Sequence, residues 1–166
     1  MQDALNAQLA REMYSSNLYL AMSGYFQSIN LKGFAHWMRV QAQEEMMHAM
    51  KFFDYLLSRG GNVQIGAIDA PPATWESPLS AMEDSLKHEQ FITEKITELA
   101  NLSIKEGDHA SHIFLQWFIT EQVEEEATVL EIVEKLKLIA DWKGGVIMID
   151  NELGKRGLGS STNSAE

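Results

Sequence analysis

Apolar and small residues recur along the first stretch of the chain at Leu5, Leu9, Ser16, Tyr19, Ser23 and Phe26, steps that keep to one face of a helix. The turn signal Asn30-Leu31-Lys32-Gly33 ends that segment. A second stripe, Phe34, Met38, Phe52 and Tyr55, stops at Gly60-Gly61, residues suited to a helix C-terminus. From Asn62 to Glu76 the period is lost, and Ala70-Pro71-Pro72 lies inside this stretch. Ser77-Pro78 then reads as an N-cap followed by proline at the first helical position. The third stripe carries Met82, Leu86, Ile96 and Leu99 and breaks at Gly107-Asp108. The fourth carries Phe114, Trp117, Phe118, Val129, Ile132, Val133 and Leu136. Beyond Lys143-Gly144-Gly145 the segment Val146 to Leu153 predicts a short fifth helix. The Gly- and Ser-rich tail, residues 154–166, is expected to lack regular structure.

The long helices run about 25 to 30 residues each, roughly 40 Å at 1.5 Å per residue. Four of that length predict an all-α fold, a four-helix bundle forming one domain over residues 1–153. A structureless stretch as long as 62–76 is unusual in a compact domain and needs a reason. A crossover between the second and third helices, running the length of the bundle and leaving those helices parallel, supplies one.

Composition narrows the function. The chain has 166 residues and no cysteine, which excludes disulfides, thiolate zinc sites, iron–sulfur clusters and a catalytic thiol. No run of about eighteen apolar residues occurs, so no membrane span is expected. The first residues lack the basic flank and apolar run of a secretory signal, and the expected location is the cytoplasm. Lys and Arg number 13 against 24 Asp and Glu, a formal charge of -11. Such an excess repels nucleic acid and anionic lipid and attracts cations, so neither nucleic acid nor membrane is expected as a partner.

The charge gains meaning from where carboxylates interrupt the stripes. Glu12 falls between Leu9 and Tyr19, Glu45 and His48 between Met38 and Phe52, and Glu89 between Leu86 and Ile96. Glu121, Gln122 and Glu125 fall between Phe118 and Val129. One such residue would read as a solvated glutamate with an imprecise phase. One on every helix is different, because unpaired buried carboxylates cost several kcal/mol each and need compensation, for which metal cations are suited. Glu45 and His48 are spaced i, i+3 and share a helix face. Glu-x-x-His on an inward face recurs as a ligand pair of dinuclear carboxylate sites in bundles. Carboxylate oxygens with an imidazole suit iron or manganese, and also hold zinc.

These residues resemble the non-haem ferritins of bacteria and archaea, over about residues 3–153. The resemblance is carried by Ala42-Gln43-Glu44-Glu45-Met46-Met47-His48, by Lys87-His88-Glu89-Gln90, and by Phe114-Leu115-Gln116-Trp117 followed by Glu121-Gln122-Val123-Glu124-Glu125-Glu126. Glu12-Met13-Tyr14-Ser15-Ser16 with Tyr19 is similar to the family's first-helix motif, and the Pro71-Pro72 loop to its long crossover. The resemblance implies a ferritin-like bundle that oxidises ferrous iron with dioxygen or peroxide and stores the ferric mineral inside a homo-oligomeric cage, typically of twenty-four subunits.

Carried over by position, one iron would be held by Glu12, Glu45 and His48, with Gln122 close by. The second would be held by a bridging Glu45 with Glu89 and Glu125. A weaker third site would use Glu44, Glu121, Glu124 and Glu125. Tyr19 would stand beside the dinuclear site with Trp117 nearby, although both aromatics equally fit the core stripes. Helix four reads Gln122-Val123-Glu124-Glu125, without the histidine of a second Glu-x-x-His, which argues against bacterioferritin and rubrerythrin. Met46 stands where bacterioferritin-like chains carry a haem-ligating methionine, but non-haem ferritins carry Met there too, and no haem is expected. The uncharged Gln122 lowers the negative charge of the site, which favours release of ferric product. Three rivals stay open: an oxidoreductase that retains its metal pair, a DNA-protecting mini-ferritin with metals between subunits, and a structural bundle whose glutamates lie on the surface.

Overall fold

The computed structural model describes residues 1–140 and 142–157. Five helices follow one another: α1 (Gln2–Ser28), α2 (Lys32–Ser58), α3 (Pro78–Lys105), α4 (His109–Ile139) and α5 (Lys143–Leu153). The start of α3 is fixed by a reciprocal cap. The Ser77 hydroxyl accepts from the Ser80 amide and the Ser80 hydroxyl from the Ser77 amide, each at 3.0 Å. Asp108 caps α4, its carboxylate accepting from the Ser111 amide at 3.1 Å.

Short turns make α1–α2 and α3–α4 antiparallel hairpins, and the long connection then sets their relation. The Met1 amino group meets Glu106, while Gln2 and Asn6 meet Asn62. The C-terminal ends of α2 and α3 therefore lie at the same end of the bundle, so these helices are parallel. The crossover predicted for 62–76 is what permits this. At the other end Tyr25 packs on Trp75 of that crossover. Small residues on α1 bring α2 close: the Ser16 and Ser23 hydroxyls donate to the Ala42 and Ala35 carbonyls, both at 2.7 Å.

The fifth helix docks across the start of α2. Asp150 accepts from the Phe34 amide at 2.9 Å, satisfying one of the free donors at that N-terminus. This approach requires Gly33, where an added Cβ would stand 1.6 Å from the Asp150 carbonyl oxygen. The pair Gly144-Gly145, expected ahead of the fifth helix, lies within its first turn. The reason is packing: a Cβ at Gly145 would meet the Ile139 side chain at 2.7 Å. Past α5, residues 154–157 keep a defined path, and Arg156 there reaches back to α2. Most of the expected unstructured tail, residues 158–166, lies outside the described residues.

The apolar interior is divided in two. One cluster gathers around Tyr19, Met22, Phe26, Phe34, Met38, Met82 and Val133, with Ile149 and Leu153 of α5. The other gathers around Leu5, Leu9, Phe52, Leu56, Ile96, Leu115 and Phe118. Burying each large side chain contributes about 1.5–3 kcal/mol. Between the clusters lies a polar layer to which all four long helices contribute. Among the described residues no helix is long and apolar enough to cross a membrane.

Candidate metal centre

Glu12 reaches the polar layer from α1, Glu45 and His48 from α2, Glu89 from α3, and Gln122 and Glu125 from α4. All six side chains are buried, as are Glu44 and Glu121 at the margin, so the stripe interruptions are interior residues and not surface ones. Glu124 alone of the candidate set is exposed. The i, i+3 spacing on α2 does what a helix face dictates, and the His48 Nδ1 stands 3.5 Å from a Glu45 oxygen.

Two triads of potential metal ligands form within the layer. Glu12, Glu45 and His48 each offer one ligand atom, and the three lie within 4.8 Å of one another. His48, Glu121 and Glu125 meet the same condition. The imidazole thus belongs to both, a sharing that sequence position had not suggested. Glu89 joins neither triad. It accepts from the Tyr19 hydroxyl and, at 3.1 Å, from the Gln122 amide.

Packing so many acids together changes their acidity. Burial, reinforced by the charge of Glu45, pushes the Glu12 carboxyl up from its ordinary 4.5 to about 8. Glu89 moves to about 8 for the same two reasons. Glu45 and Glu125 are also raised, by burial first and then by the facing carboxylates, Glu125 acting on Glu45 and Glu89 on Glu125. Burial raises Glu121 as well. Burial and then Glu89 hold the Tyr19 phenol far above its usual range. Neutral amides take up part of the acceptor excess. Gln8 donates to Glu12 at 2.7 Å, and Gln41 donates to Glu125 at 2.6 Å and to Glu45 at 3.4 Å. One Glu125 oxygen, buried, has no hydrogen-bond partner. A layer rich in carboxylates with one imidazole and an orphaned acceptor fits a divalent or trivalent cation, because a cation satisfies several acceptors at once.

The ferritin-like domain model matches residues 2–139, which is most of the chain and every residue of the layer. The chain belongs to the ferritin family. This ferritin is 44% identical over 156 residues to a bacterial non-haem ferritin of Bacteroides fragilis, an alignment covering 94% of this chain and 97% of that one. Against a bacterial non-haem ferritin of Escherichia coli O6:H1 it is 39% identical over 153 residues, covering 92% and 93%. An open-pore ferritin from the hyperthermophilic archaeon Archaeoglobus fulgidus superposes with a TM-score of 0.94 at 52% identity, covering 95% of this chain and 97% of that one. Ferritins bind iron, and the two triads are groups of this ferritin that could hold it.

The residues around the layer divide by role. Tyr19 is fully buried and bonded to Glu89, so it is both core and part of the site. Trp117 is not core: it is 36% exposed, sets its ring edge against His48 with centroids 5.4 Å apart, and carries Lys51 over its face. His88, inside a motif quoted for the resemblance, turns away from the carboxylates. Its Nε2 meets the Ser15 hydroxyl at 2.7 Å, and burial lowers its pKa to about 4, so it is a neutral, hydrogen-bonded histidine at the half-buried edge of the bundle. Sequence reading missed Gln8 and Gln41. Both stand four residues before a candidate ligand, Glu12 and Glu45, and that i, i+4 spacing was a usable signal.

Proposed function

We propose that this ferritin binds two ferrous ions per chain in the polar layer, oxidises them, and stores the ferric product as mineral inside a shell of identical subunits. The observation that carries this reading is the buried triad Glu12, Glu45 and His48, with Glu89 and Glu125 buried in the same polar layer and a second triad, His48, Glu121 and Glu125, at its margin. Glu12, Glu45 and His48 take the first iron, while Gln122, expected beside it, bonds instead to Glu89. Glu45, Glu89 and Glu125 take the second. Glu121 and Glu125, flanked by Glu44 and Glu124, form a weaker third position.

Iron binding releases the protons that the raised carboxyls hold at neutral pH. Each ferrous ion then gives up one electron. Dioxygen takes the two electrons with two protons and leaves as hydrogen peroxide. Peroxide, as the alternative oxidant, takes two electrons and two protons to give two waters. Hard oxygen donors favour the ferric over the ferrous state, which supplies driving force. The uncharged Gln122, donating to Glu89, lowers the negative charge on the α3–α4 side and so eases departure of the ferric ion toward the store.

Aerobic ferrous oxidation followed in the near ultraviolet, together with sizing of the particle and its iron content, tests the proposal. A large closed oligomer that accumulates far more than two irons per chain is expected. A small oligomer that keeps two metals per chain would identify an oxidoreductase with a resident metal pair and overturn the storage reading.

A further inference from the structure

Arg156 lies three residues past α5 and beyond the residues matched by the family model. Its guanidinium is buried against the polar layer, with Nη2 on a Glu44 oxygen and Nη1 donating to the Gln41 side-chain oxygen at 2.7 Å. The plane sits over the Trp37 ring, 4.5 Å from its centroid, and the Arg156 carbonyl meets His36 Nε2 at 2.8 Å. The charge is therefore held by three residues of α2, Trp37, Gln41 and Glu44, while His36 fixes the backbone that carries it. Its effect reaches further through Gln41. With the amide oxygen occupied by the guanidinium, the amide nitrogen must face the other way, where it donates to Glu125 at 2.6 Å and to Glu45 at 3.4 Å. Beside Arg156 opens a cavity of about 440 Å³, lined by Trp37, Glu124, Glu125, Thr128, Glu152 and Lys155 among others.

A cation occupies this place without being a metal. We infer that Arg156 is a tethered stand-in cation for the flanking iron position: in the metal-free chain it neutralises Glu44 and, through Gln41, holds Glu45 and Glu125. A metal entering beside Glu44 and Glu125 displaces it into the adjoining cavity. The displaced guanidinium releases the Gln41 oxygen, and the amide becomes free to turn. Arg156 is thus a positioning residue that weakens the third metal position relative to the first two. The inference rests on reading the polar layer as an iron site.

The test uses the assembled protein and zinc, a metal that binds such ligands without redox change. Calorimetric titration of the wild type is expected to show two tight equivalents and a weaker third. In Arg156→Gln the third step should tighten by on the order of tenfold to a hundredfold, the worth of a hydrogen bond to a charged group. Arg156→Lys, which keeps the charge but loses the two-armed reach to Glu44 and Gln41, should fall between. A third step that is unchanged or weaker in Arg156→Gln overturns the inference. An independent readout keeps Arg156 in place: the third equivalent should alter the emission of Trp37, identified as the change absent from Trp37→Phe. A wild-type protein whose Trp37 ignores the third equivalent also overturns it. Failure of the wild type to bind the first two equivalents is a different result, and it overturns the reading of the layer itself.

Discussion

On the α1–α2 side of the polar layer, Glu12, Glu45 and His48 bring three ligand atoms within 4.8 Å of one another; on the α3–α4 side Glu89 is held by Tyr19 and Gln122 instead. The first side owes its geometry to one helix turn and a close α1–α2 approach through serines, so the fold itself gathers its three ligand atoms. On the second side Glu89 is satisfied by hydrogen bonds from a phenol and an amide, which an incoming ion must exchange for metal bonds, while Glu125 keeps one oxygen without a partner. Preassembly favours capture, whereas exchangeable hydrogen bonds favour passage. A site that must load iron and then surrender it needs one side of each kind.

Removing the capturing side should have the largest effect. Glu45→Ala is expected to slow ferrous oxidation by more than about a hundredfold, since even outer partners of metal ligands cost 10–100-fold. Assembly should persist, and the metal-free variant should melt no lower than the wild type at pH 8, because a repelling buried carboxyl has been deleted. Oxidation at the wild-type rate would show that the capturing side lies elsewhere.

Acidity gives the next contrast. Glu12 and Glu89 hold their protons up to about pH 8 when folded, against an ordinary 4.5, so folding takes up protons. Their contribution to stability is fully present below the ordinary value and is lost as pH rises through about 8. The metal-free protein should therefore lose melting temperature between pH 5.5 and 8.5, whereas the zinc-loaded protein should not, since metal takes the place of the protons. Parallel melting curves for the two forms across that range would mean the metal binds outside the layer.

The smallest of these effects probes the surrendering side. Gln122→Glu adds a charge where the amide now donates to Glu89. Initial oxidation should change little, while later turnovers slow by roughly tenfold as ferric ion is retained, which corresponds to about 1.4 kcal/mol. Repeated additions of ferrous iron to one sample would reveal the difference, and equal rates over successive additions would remove the role given to the missing charge.

Much of this comparison was legible in the chain itself. Helix limits followed from Ser77-Pro78, Gly60 and Gly107, because caps and stops are local chemistry. The polar layer was legible because acids broke apolar stripes in phase, once per helix. Gln8 and Gln41 went unread, although their i, i+4 spacing from Glu12 and Glu45 marked them, because amides on helices are too common to stand out. Arg156 had no such signal. Its partner Glu44 lies 112 residues away, and only the docking of α5 through Asp150 and Gly33 brings them together. The sharing of His48 between two triads depends on how α4 is rotated, which no single stripe encodes.

The crossover also bears on the order in which the molecule is built. α1 packs chiefly on α2 and α3 on α4, pairs joined by turns of a few residues. Such near-neighbour contacts form quickly, while those across the 59–77 connection must wait for a longer closure. The candidate triad Glu12, Glu45 and His48 lies within the first hairpin, whereas Glu89, Glu121, Gln122 and Glu125 join it only when the two hairpins dock. One triad is thus a product of hairpin formation, while the second, which pairs His48 with Glu121 and Glu125, exists only in the docked bundle.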